Sequence, residues 1–274
     1  MKKIAVVTGA SSGMGKDFAL QLPEFFETDE MWLIARRKEK LLETEEEIKR
    51  LSSQKKYKKL PHIRVIEADL CGRKGISAYE SLLKAEKLLE EKNGGFEISV
   101  LVNNAGFGTY GTFESSKLEE ELNMIDLNCT TLTGLTGLSI PFMKKGSSII
   151  NTASLASFLP LGNFAVYGAT KAFVLSFSVA LAAELKDKGI KVTSLCPGPV
   201  STEFANVASG GARKEVLHGK PSAKVVRHAI KKSAKGKVIA IYAFKWKFKA
   251  FMSRFVGRYA GAWFTFKFCK RPHS

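Results

Sequence analysis

The chain has 274 residues, of which 45% are hydrophobic, and this length predicts a single globular domain with one large core. Four widely spaced cysteines without a Cys-x-x-Cys pair, and four histidines without ligand spacing, give no support to disulfides or a metal site. An apolar run begins at Lys3 and leaves no room for a signal peptide, so we expect a cytoplasmic protein.

The positive charge is concentrated at the C-terminal end of the chain. The formal net charge is +17, from 43 basic and 26 acidic residues. No Asp or Glu follows Glu215, whereas 15 Lys and Arg do, so that residues 1–215 carry 28 basic and 26 acidic residues. The basicity therefore belongs to the C-terminal segment and not to the domain as a whole.

A glycine-rich turn follows the first predicted strand, Lys3–Thr8, and precedes a helical pattern. Strand, glycine turn and helix is the order that a dinucleotide-binding loop requires. Glycines let the backbone approach a pyrophosphate, and the helix N-terminus offers it free N–H groups. An ordinary loop turn is the alternative. The candidate cofactor-binding residues in this turn are Gly9, Ser11, Ser12, Gly13, Met14 and Gly15.

The second predicted strand, Met31–Ala35, ends in the basic residues Arg36 and Arg37. A carboxylate at this place binds the ribose 2′-hydroxyl of NAD, whereas an arginine suits the 2′-phosphate of NADP. The two arginines therefore favour NADP(H). The alternative is a solvated charge cluster that opens the helix predicted over Lys38–Gln54.

Further strands and helices alternate along the chain, which predicts an α/β fold with a doubly wound parallel sheet (Rossmann). Ligands of such sheets bind beyond the carboxyl ends of the strands. The remaining predicted strands are Ile63–Ala68, Ile98–Val102, Ile149–Ala153, Lys191–Leu195 and Lys237–Tyr242, and the remaining helices are Ile76–Lys92, Lys117–Met143 and Ala165–Lys186. Polar or turn-forming residues follow several strands, namely Asp69 and Leu70, Asn103–Gly106, Ser154, and Pro197 and Gly198.

Tyr167 and Lys171 lie four residues apart at the start of a predicted helix, so they share one face of it. An ammonium beside a phenol lowers the phenol pKa and makes a proton-transfer pair. Ser154, at the end of a strand, could hydrogen-bond the same substrate oxygen. Taken alone, the pair also fits an ordinary amphipathic helix.

In their order along the chain, these motifs resemble the short-chain dehydrogenase/reductase family over residues 1–242. The resemblance implies that Tyr167 is the general acid/base, that Lys171 lowers its pKa and holds the nicotinamide ribose, and that Ser154 orients the substrate oxygen. Asn128 would kink its helix and hold a water linked to Lys171. The resemblance also implies cofactor-binding roles for Asp69, Leu70, Asn104, Ala105, Gly106, Pro197, Gly198, Val200 and Thr202, with Arg36 and Arg37 selecting NADP(H).

Residues 199–219 correspond to the segment that covers the substrate in this family. Phe204, Val207, Val216 and Leu217 make it partly apolar, and its glycines predict mobility. We therefore expect an apolar substrate, of the hydroxysteroid (bile acids included) or 3-oxoacyl type. The alternative function is a redox-inactive cofactor-sensing or scaffold protein, which the complete catalytic set disfavours.

Residues 243–274 form a basic extension with aromatic residues at helical spacing, for which we predict one amphipathic helix over Phe244–Lys270. Three interpretations stay open: peripheral contact with a membrane surface, packing between subunits or as a lid, and a nucleic-acid patch. The last is the least favoured, so no nucleic-acid partner is expected. Family habit predicts a homodimer or a homotetramer.

Overall fold

Alternating strands and helices build the fold, and the computed structural model describes residues 1–54, 57–213, 219–269 and 271 of the chain. Val216 and Leu217 of the expected lid, and Lys270, lie outside these residues. The strands are β1 (Lys2–Thr8), β2 (Glu30–Ala35), β3 (His62–Glu67), β4 (Phe96–Asn103), β5 (Ser148–Thr152), β6 (Lys191–Leu195), β7 (Val200–Ser201), β8 (Lys220–Pro221) and β9 (Ile239–Ala240).

Most helices lie between the strands of the sheet, and the last two follow it. They are α1 (Gly13–Gln21), α2 (Lys38–Ser52), α3 (Gly72–Glu90), α4 (Leu118–Ile125), α5 (Leu132–Ser139), α6 (Ala165–Glu184), α7 (Phe204–Ala208), α8 (Ser222–Ala234), α9 (Phe244–Met252) and α10 (Arg258–Phe268). Among the described residues, α6 alone is long and apolar enough to cross a membrane. Core helices of soluble proteins often have the same length and composition.

The central sheet is parallel and has the strand order β3-β2-β1-β4-β5-β6-β9. Because β1 adjoins both β2 and β4, the chain winds outward from β1 in two directions. Loops that leave β1 and β4 diverge there and open a crevice at the carboxyl edge of the sheet. The doubly wound Rossmann fold and the single domain are confirmed.

Alternate residues of the buried strands face opposite helix layers, as the two-residue period of a strand requires. Ala5 and Val7 pack in a core cluster with residues of α1, α2 and α8. Ile4 and Val6 pack in a second cluster with residues of α3, α5 and α6. The sheet is therefore covered on both faces, and its carboxyl edge is left to the loops that carry the candidate motifs.

The helix predicted over Lys117–Met143 is divided, because a π-helical turn at Asp126–Thr131 separates α4 from α5. Asn128 lies in this turn and is buried. Its Oδ1 accepts a hydrogen bond from the Phe107 N–H (3.1 Å), and its Nδ2 donates to the Phe107 carbonyl (2.9 Å). The expected distortion of the helix at Asn128 is therefore present, and it joins the helix to the loop after β4.

The prediction of one continuous helix over Phe244–Lys270 is wrong. Two helices, α9 and α10, are separated by a turn at Ser253–Phe255 and by an extended Val256. The break lets α10 pack on the loop before α6, where the Gly162 N–H donates to Thr265 Oγ1 (2.9 Å). The last strand is also shorter than the predicted Lys237–Tyr242, because only Ile239 and Ala240 pair with β6.

Candidate active site

The glycine-rich turn lies between β1 and α1 and needs its glycines. Gly9 (φ +66°) and Gly13 (φ +51°) have left-handed backbones, which other residues rarely adopt. A Cβ added to Gly15 would lie 1.9 Å from the Gly9 carbonyl oxygen, so only glycine allows this close approach. The loop thus forms an open backbone cradle at the N-terminus of α1, which suits a pyrophosphate.

A cleft of about 330 Å³ extends from this cradle along the carboxyl ends of β1, β2 and β4. Most of the predicted cofactor-binding residues line it. They are Gly9, Ser11, Ser12, Gly13, Met14, Arg36, Arg37, Asp69, Leu70, Asn104, Ala105, Gly106 and Thr202. Its position, its shape and the glycine cradle fit an extended dinucleotide.

The loop after β4 is fastened to the end of β1 by Thr8. The Thr8 hydroxyl oxygen accepts hydrogen bonds from the backbone N–H groups of Asn104 and Ala105, both at 3.0 Å. Asn103 is buried beneath them and donates to Asn151 Oδ1 (2.9 Å). These bonds hold the two loops that form the floor of the cleft at a set distance.

The two arginines after β2 lie differently in the cleft. Arg36 is exposed on its wall. Arg37 is held by the glycine-rich turn, because its Nη2 donates to Ser12 Oγ (2.8 Å). The same Nη2 forms an ion pair with Glu203 Oε2 at 3.0 Å. Glu203, which follows Thr202, lines the cleft and was missed by the sequence analysis, since nothing in the local pattern pairs it with Arg37.

Tyr167, Lys171 and Ser154 come together beside the cleft. Tyr167 and Lys171 lie on α6 with exposed fractions of only 7% and 5%. Ser154 follows β5, and its side chain interacts with the Tyr167 hydroxyl. Lys171 Nζ donates to the Thr152 carbonyl (2.8 Å) and lies 5.7 Å from the centre of the Tyr167 ring. The predicted proton-transfer pair and its serine therefore border one small volume.

Burial controls the ionisation of this pair. It raises the pKa of Tyr167 above its usual value, and the hydrogen bond with Ser154 only partly opposes this effect. It also lowers the pKa of Lys171 to about 8. The expected lowering of the Tyr167 pKa by Lys171 is not among the influences on Tyr167 in this structure, where Lys171 donates to a backbone carbonyl.

Asn128 approaches this group from the π-helical turn. Its Nδ2 donates to Thr170 Oγ1 (3.1 Å), next to Lys171 on α6. A Cβ added to Gly106 would lie 2.6 Å from Asn128 Oδ1 and 3.5 Å from Lys171 Nζ, so Gly106 leaves room between the two side chains. The predicted water link between Asn128 and Lys171 stays a prediction.

A second pocket, of about 400 Å³, adjoins the cleft and contains Ser154, Tyr167 and Lys171 in its wall. Its aromatic side is built on Phe164, whose ring stacks on Tyr167 at 4.1 Å between centroids. Phe204, expected in the lid, lies 5.4 Å from the Tyr167 ring. The predicted residues Pro197, Gly198 and Val200 line this pocket and not the first one.

The C-terminal extension also contributes to this second pocket, which the sequence analysis did not foresee. Trp246 of α9 lies against Gly198, where an added Cβ would meet the indole at 2.7 Å. Arg271 lines the pocket beyond α10, together with Arg213. No group of three or more His, Cys, Asp or Glu that could hold a metal ion lies within the described ranges.

Comparison with known proteins agrees with this architecture. Residues 3–211 match the family model described as short chain dehydrogenase. The chain is 32% identical over 206 residues to mouse 17-beta-hydroxysteroid dehydrogenase type 3, covering 74% of this chain and 61% of that protein.

Two solved structures share the fold. A short-chain dehydrogenase from Sphingobium yanoikuyae in complex with NADPH is similar with a TM-score of 0.75 and 26% identity, over 92% of this chain and 93% of the other. One from Burkholderia phymatum in complex with NAD is similar in fold, with a TM-score of 0.74 and 20% identity over 92% of each chain. The chain belongs to the short-chain dehydrogenase/reductase family of oxidoreductases, which bind a nicotinamide cofactor.

Proposed function

We propose that this protein is an NADP(H)-dependent oxidoreductase that interconverts an alcohol and a ketone on an apolar small molecule. The observation that carries the proposal is the convergence of Ser154, Tyr167 and buried Lys171 on a pocket that adjoins the glycine-lined cleft. A proton donor and a dinucleotide site side by side are what reduction of a carbonyl requires.

The bound nicotinamide would supply a hydride to the carbonyl carbon, or accept one in the reverse direction. Tyr167 donates a proton to the carbonyl oxygen during reduction and takes it back during oxidation. Ser154, which lies beside the Tyr167 hydroxyl, hydrogen-bonds the same substrate oxygen. Lys171 stabilises the phenolate that proton transfer leaves, and Asn128 positions the segment behind it.

The choice of NADP(H) rests on the residues at the end of β2. Ala35 provides no carboxylate there for a 2′-hydroxyl, and Arg36 is exposed on the wall of the cleft, where it can bind a 2′-phosphate. Arg37 is the second cation at this end of the cleft. The structural similarity to an NADPH complex supports this assignment. Because another structure of similar fold contains NAD, the assay compares the two cofactors directly.

The substrate class rests on the second pocket. Phe164, Phe204 and Tyr110 form an aromatic wall beside Tyr167, which suits an apolar body next to the reacting carbonyl. Hydroxysteroids, bile acids included, and 3-oxoacyl compounds are the two classes to test first, and the mouse relative is named for a hydroxysteroid activity. The alternative, a redox-inactive cofactor-sensing or scaffold protein, is disfavoured because the proton-transfer residues are all present.

A panel of steroid, acyl and simple ketones, each assayed with NADPH and with NADH, tests this proposal. The decrease in reduced-nicotinamide absorbance should be fastest with NADPH and an apolar ketone. Binding of NADPH without turnover of any ketone, alcohol or aldehyde would favour the cofactor-sensing alternative.

We further propose that the extension, residues 243–274, makes peripheral contact with an anionic membrane surface, and that the catalytic domain forms a homodimer or homotetramer in the cytoplasm. Large aromatic side chains on α9 and α10 are exposed beside lysines and arginines, a combination typical of interfacial helices. The aromatic residues that are about half exposed or more are Phe244, Phe248, Phe251, Phe255, Tyr259, Trp263, Phe264, Phe266 and Phe268.

Flotation with vesicles of anionic and of neutral lipid tests this contact. The full chain should float with anionic vesicles only, and added salt should release it, because each basic residue near such a surface contributes about 1 kcal/mol. Removal of the exposed aromatics Phe248 and Phe255 by Ser substitution should reduce flotation without changing the oligomer. The surface would instead belong to subunit packing if the full chain did not bind vesicles and the double variant lost the oligomeric state of the wild type.

A further inference from the structure

The charged side chains that the structure describes in the wall of the substrate pocket are all basic. Among the described residues that line it, the charged ones are Lys171, Arg213 and Arg271, and neither Asp nor Glu is among them. Lys171 belongs to the catalytic group and donates to the Thr152 carbonyl. Arg213 and Arg271 are therefore the two cations described in this wall that lie outside the catalytic group.

Arg271 is placed in the pocket wall by the packing of the extension. Its Nη1 donates to the Gly162 carbonyl (2.9 Å), and its guanidinium carbon lies 5.2 Å from the centre of the Phe164 ring. Burial lowers its pKa. In the described part of the chain, no carboxylate forms an ion pair with Arg271. Its described contacts are a carbonyl and an aromatic ring, and a partly buried cation in such surroundings is stabilised by an anion that binds beside it.

Arg213 adds a second positive charge to the same wall. Its guanidinium carbon lies 5.7 Å from the centre of the Tyr110 ring, and that ring meets Phe164 edge to face at 4.9 Å. The charge of Arg213 is one of the influences that lower the pKa of Arg271, so the two guanidinium groups are near enough to repel each other. An anion that binds Arg271 is therefore also attracted by the charge of Arg213.

Phe164 contacts both Arg271 and the catalytic Tyr167. Its ring stacks on Tyr167 at 4.1 Å and lies 5.2 Å below the Arg271 guanidinium. The guanidinium carbon is therefore no more than about 9 Å from the centre of the Tyr167 ring. A molecule that reaches both has only a short apolar spacer between its carbonyl and its anionic group.

We propose that the natural substrate is an apolar ketone or alcohol that carries a carboxylate, and that Arg271, with Arg213 beside it, binds this carboxylate while the reacting carbon lies at Tyr167. This inference rests on the proposed oxidoreductase function and narrows its substrate class to amphiphilic anions. It also gives the extension a role in substrate recognition, because α10 places Arg271 in the pocket.

The test uses methyl ketones that differ in charge and spacer length. With NADPH, the full-length enzyme should reduce 7-oxooctanoate with a kcat/KM about ten to a hundred times that for its methyl ester, the factor expected of charge-assisted hydrogen bonds. The shorter 5-oxohexanoate and the longer 9-oxodecanoate locate the optimum spacer. Neutral 2-octanone measures turnover without any contribution from the anionic group.

Three variants separate recognition from structure. Arg271→Leu should lower kcat/KM for 7-oxooctanoate about tenfold or more relative to that for 2-octanone, whereas Arg271→Lys should keep part of the preference. Arg258→Leu removes an exposed cation at the start of α10 and is the matched control, which should behave as the wild type. An equal loss for the neutral ketone in Arg271→Leu would show that Arg271 only supports Gly162, and would overturn the proposal.

Calorimetric titration of the NADP⁺-loaded enzyme with octanoate and with methyl octanoate gives a readout that does not depend on turnover. Octanoate should bind at least tenfold more tightly, and Arg271→Leu should abolish the difference. If the two bind alike, the carboxylate site does not exist, even where neutral ketones are reduced and the oxidoreductase function stands. If octanoate binds as expected but no ketone is reduced, the oxidoreductase function fails and the anion site remains.

Discussion

The Arg37–Glu203 ion pair leads to a prediction about cofactor affinity. The pair joins the glycine-rich turn to the loop after β7 across the cofactor cleft, with Nη2 and Oε2 3.0 Å apart. A 2′-phosphate bound near Arg37 has to compete with the Glu203 carboxylate for the same guanidinium. Glu203→Gln should therefore tighten the binding of NADPH and leave that of NADH unchanged.

The exposure of the two side chains limits the size of this effect. They are 48% and 59% exposed, and an ion pair in such a setting contributes at most about 1 kcal/mol. Removing the competitor should therefore lower the dissociation constant of NADPH by up to about fivefold. Titration of nicotinamide fluorescence in the absence of substrate measures both constants directly.

Glu43→Gln is the matched control, because Glu43 is also exposed and ion-paired, with Lys40, but does not line the cleft. The gain should disappear in the double variant Arg37→Leu, Glu203→Gln, since the phosphate then has no freed guanidinium to bind. A weaker affinity for NADPH in Glu203→Gln, or an equal change for NADH, would refute the competition.

Two further predictions concern charged residues of the site. Arg36→Leu should weaken NADPH binding and leave NADH nearly unaffected, and an equal loss for both cofactors in the same titration would assign Arg36 a structural role. Lys171→Met should raise the free energy of unfolding at pH 7 by on the order of 3 kcal/mol, because burial lowers the pKa of Lys171 from 10.5 to about 8 and so penalises its charged form. Between pH 8 and pH 10.5, Lys171 is protonated in the unfolded chain but largely neutral in the folded one, so the wild type gains stability as the pH rises. The difference in free energy of unfolding between the Met variant and the wild type should therefore shrink over this range. Urea denaturation at pH 7 and pH 10 measures this change, and an advantage that grows with pH would contradict the sign.

The features that depend on residues close together in the sequence could be predicted. The left-handed Gly9 and Gly13 and the close approach at Gly15 are consequences of a tight turn between a strand and a helix, which the residue order predicts. The i, i+4 spacing placed Tyr167 and Lys171 on one face of α6. Alternation of apolar strands with helices was sufficient to predict a parallel sheet whose carboxyl edge collects the motifs.

Features that depend on distant parts of the chain could not be predicted in this way. Arg37 and Glu203 are 166 positions apart, and the pair depends on how the loop after β7 crosses the cleft. The break between α9 and α10 lets Thr265 dock on Gly162, a contact with a distant loop that no helical period reveals. Burial of Tyr167 and Lys171, which decides both pKa shifts, is likewise set by packing and not by their spacing.

The central claim, that Tyr167 transfers the proton, is tested most directly by Tyr167→Phe. This change keeps the ring that stacks on Phe164 and removes only the hydroxyl. NADPH affinity by fluorescence titration should stay within about twofold of the wild type, while turnover of the best ketone should fall by about 10²- to 10⁴-fold, the range for general acid–base catalysis. A variant that binds NADPH normally and keeps more than about a tenth of wild-type turnover would contradict the assignment of Tyr167.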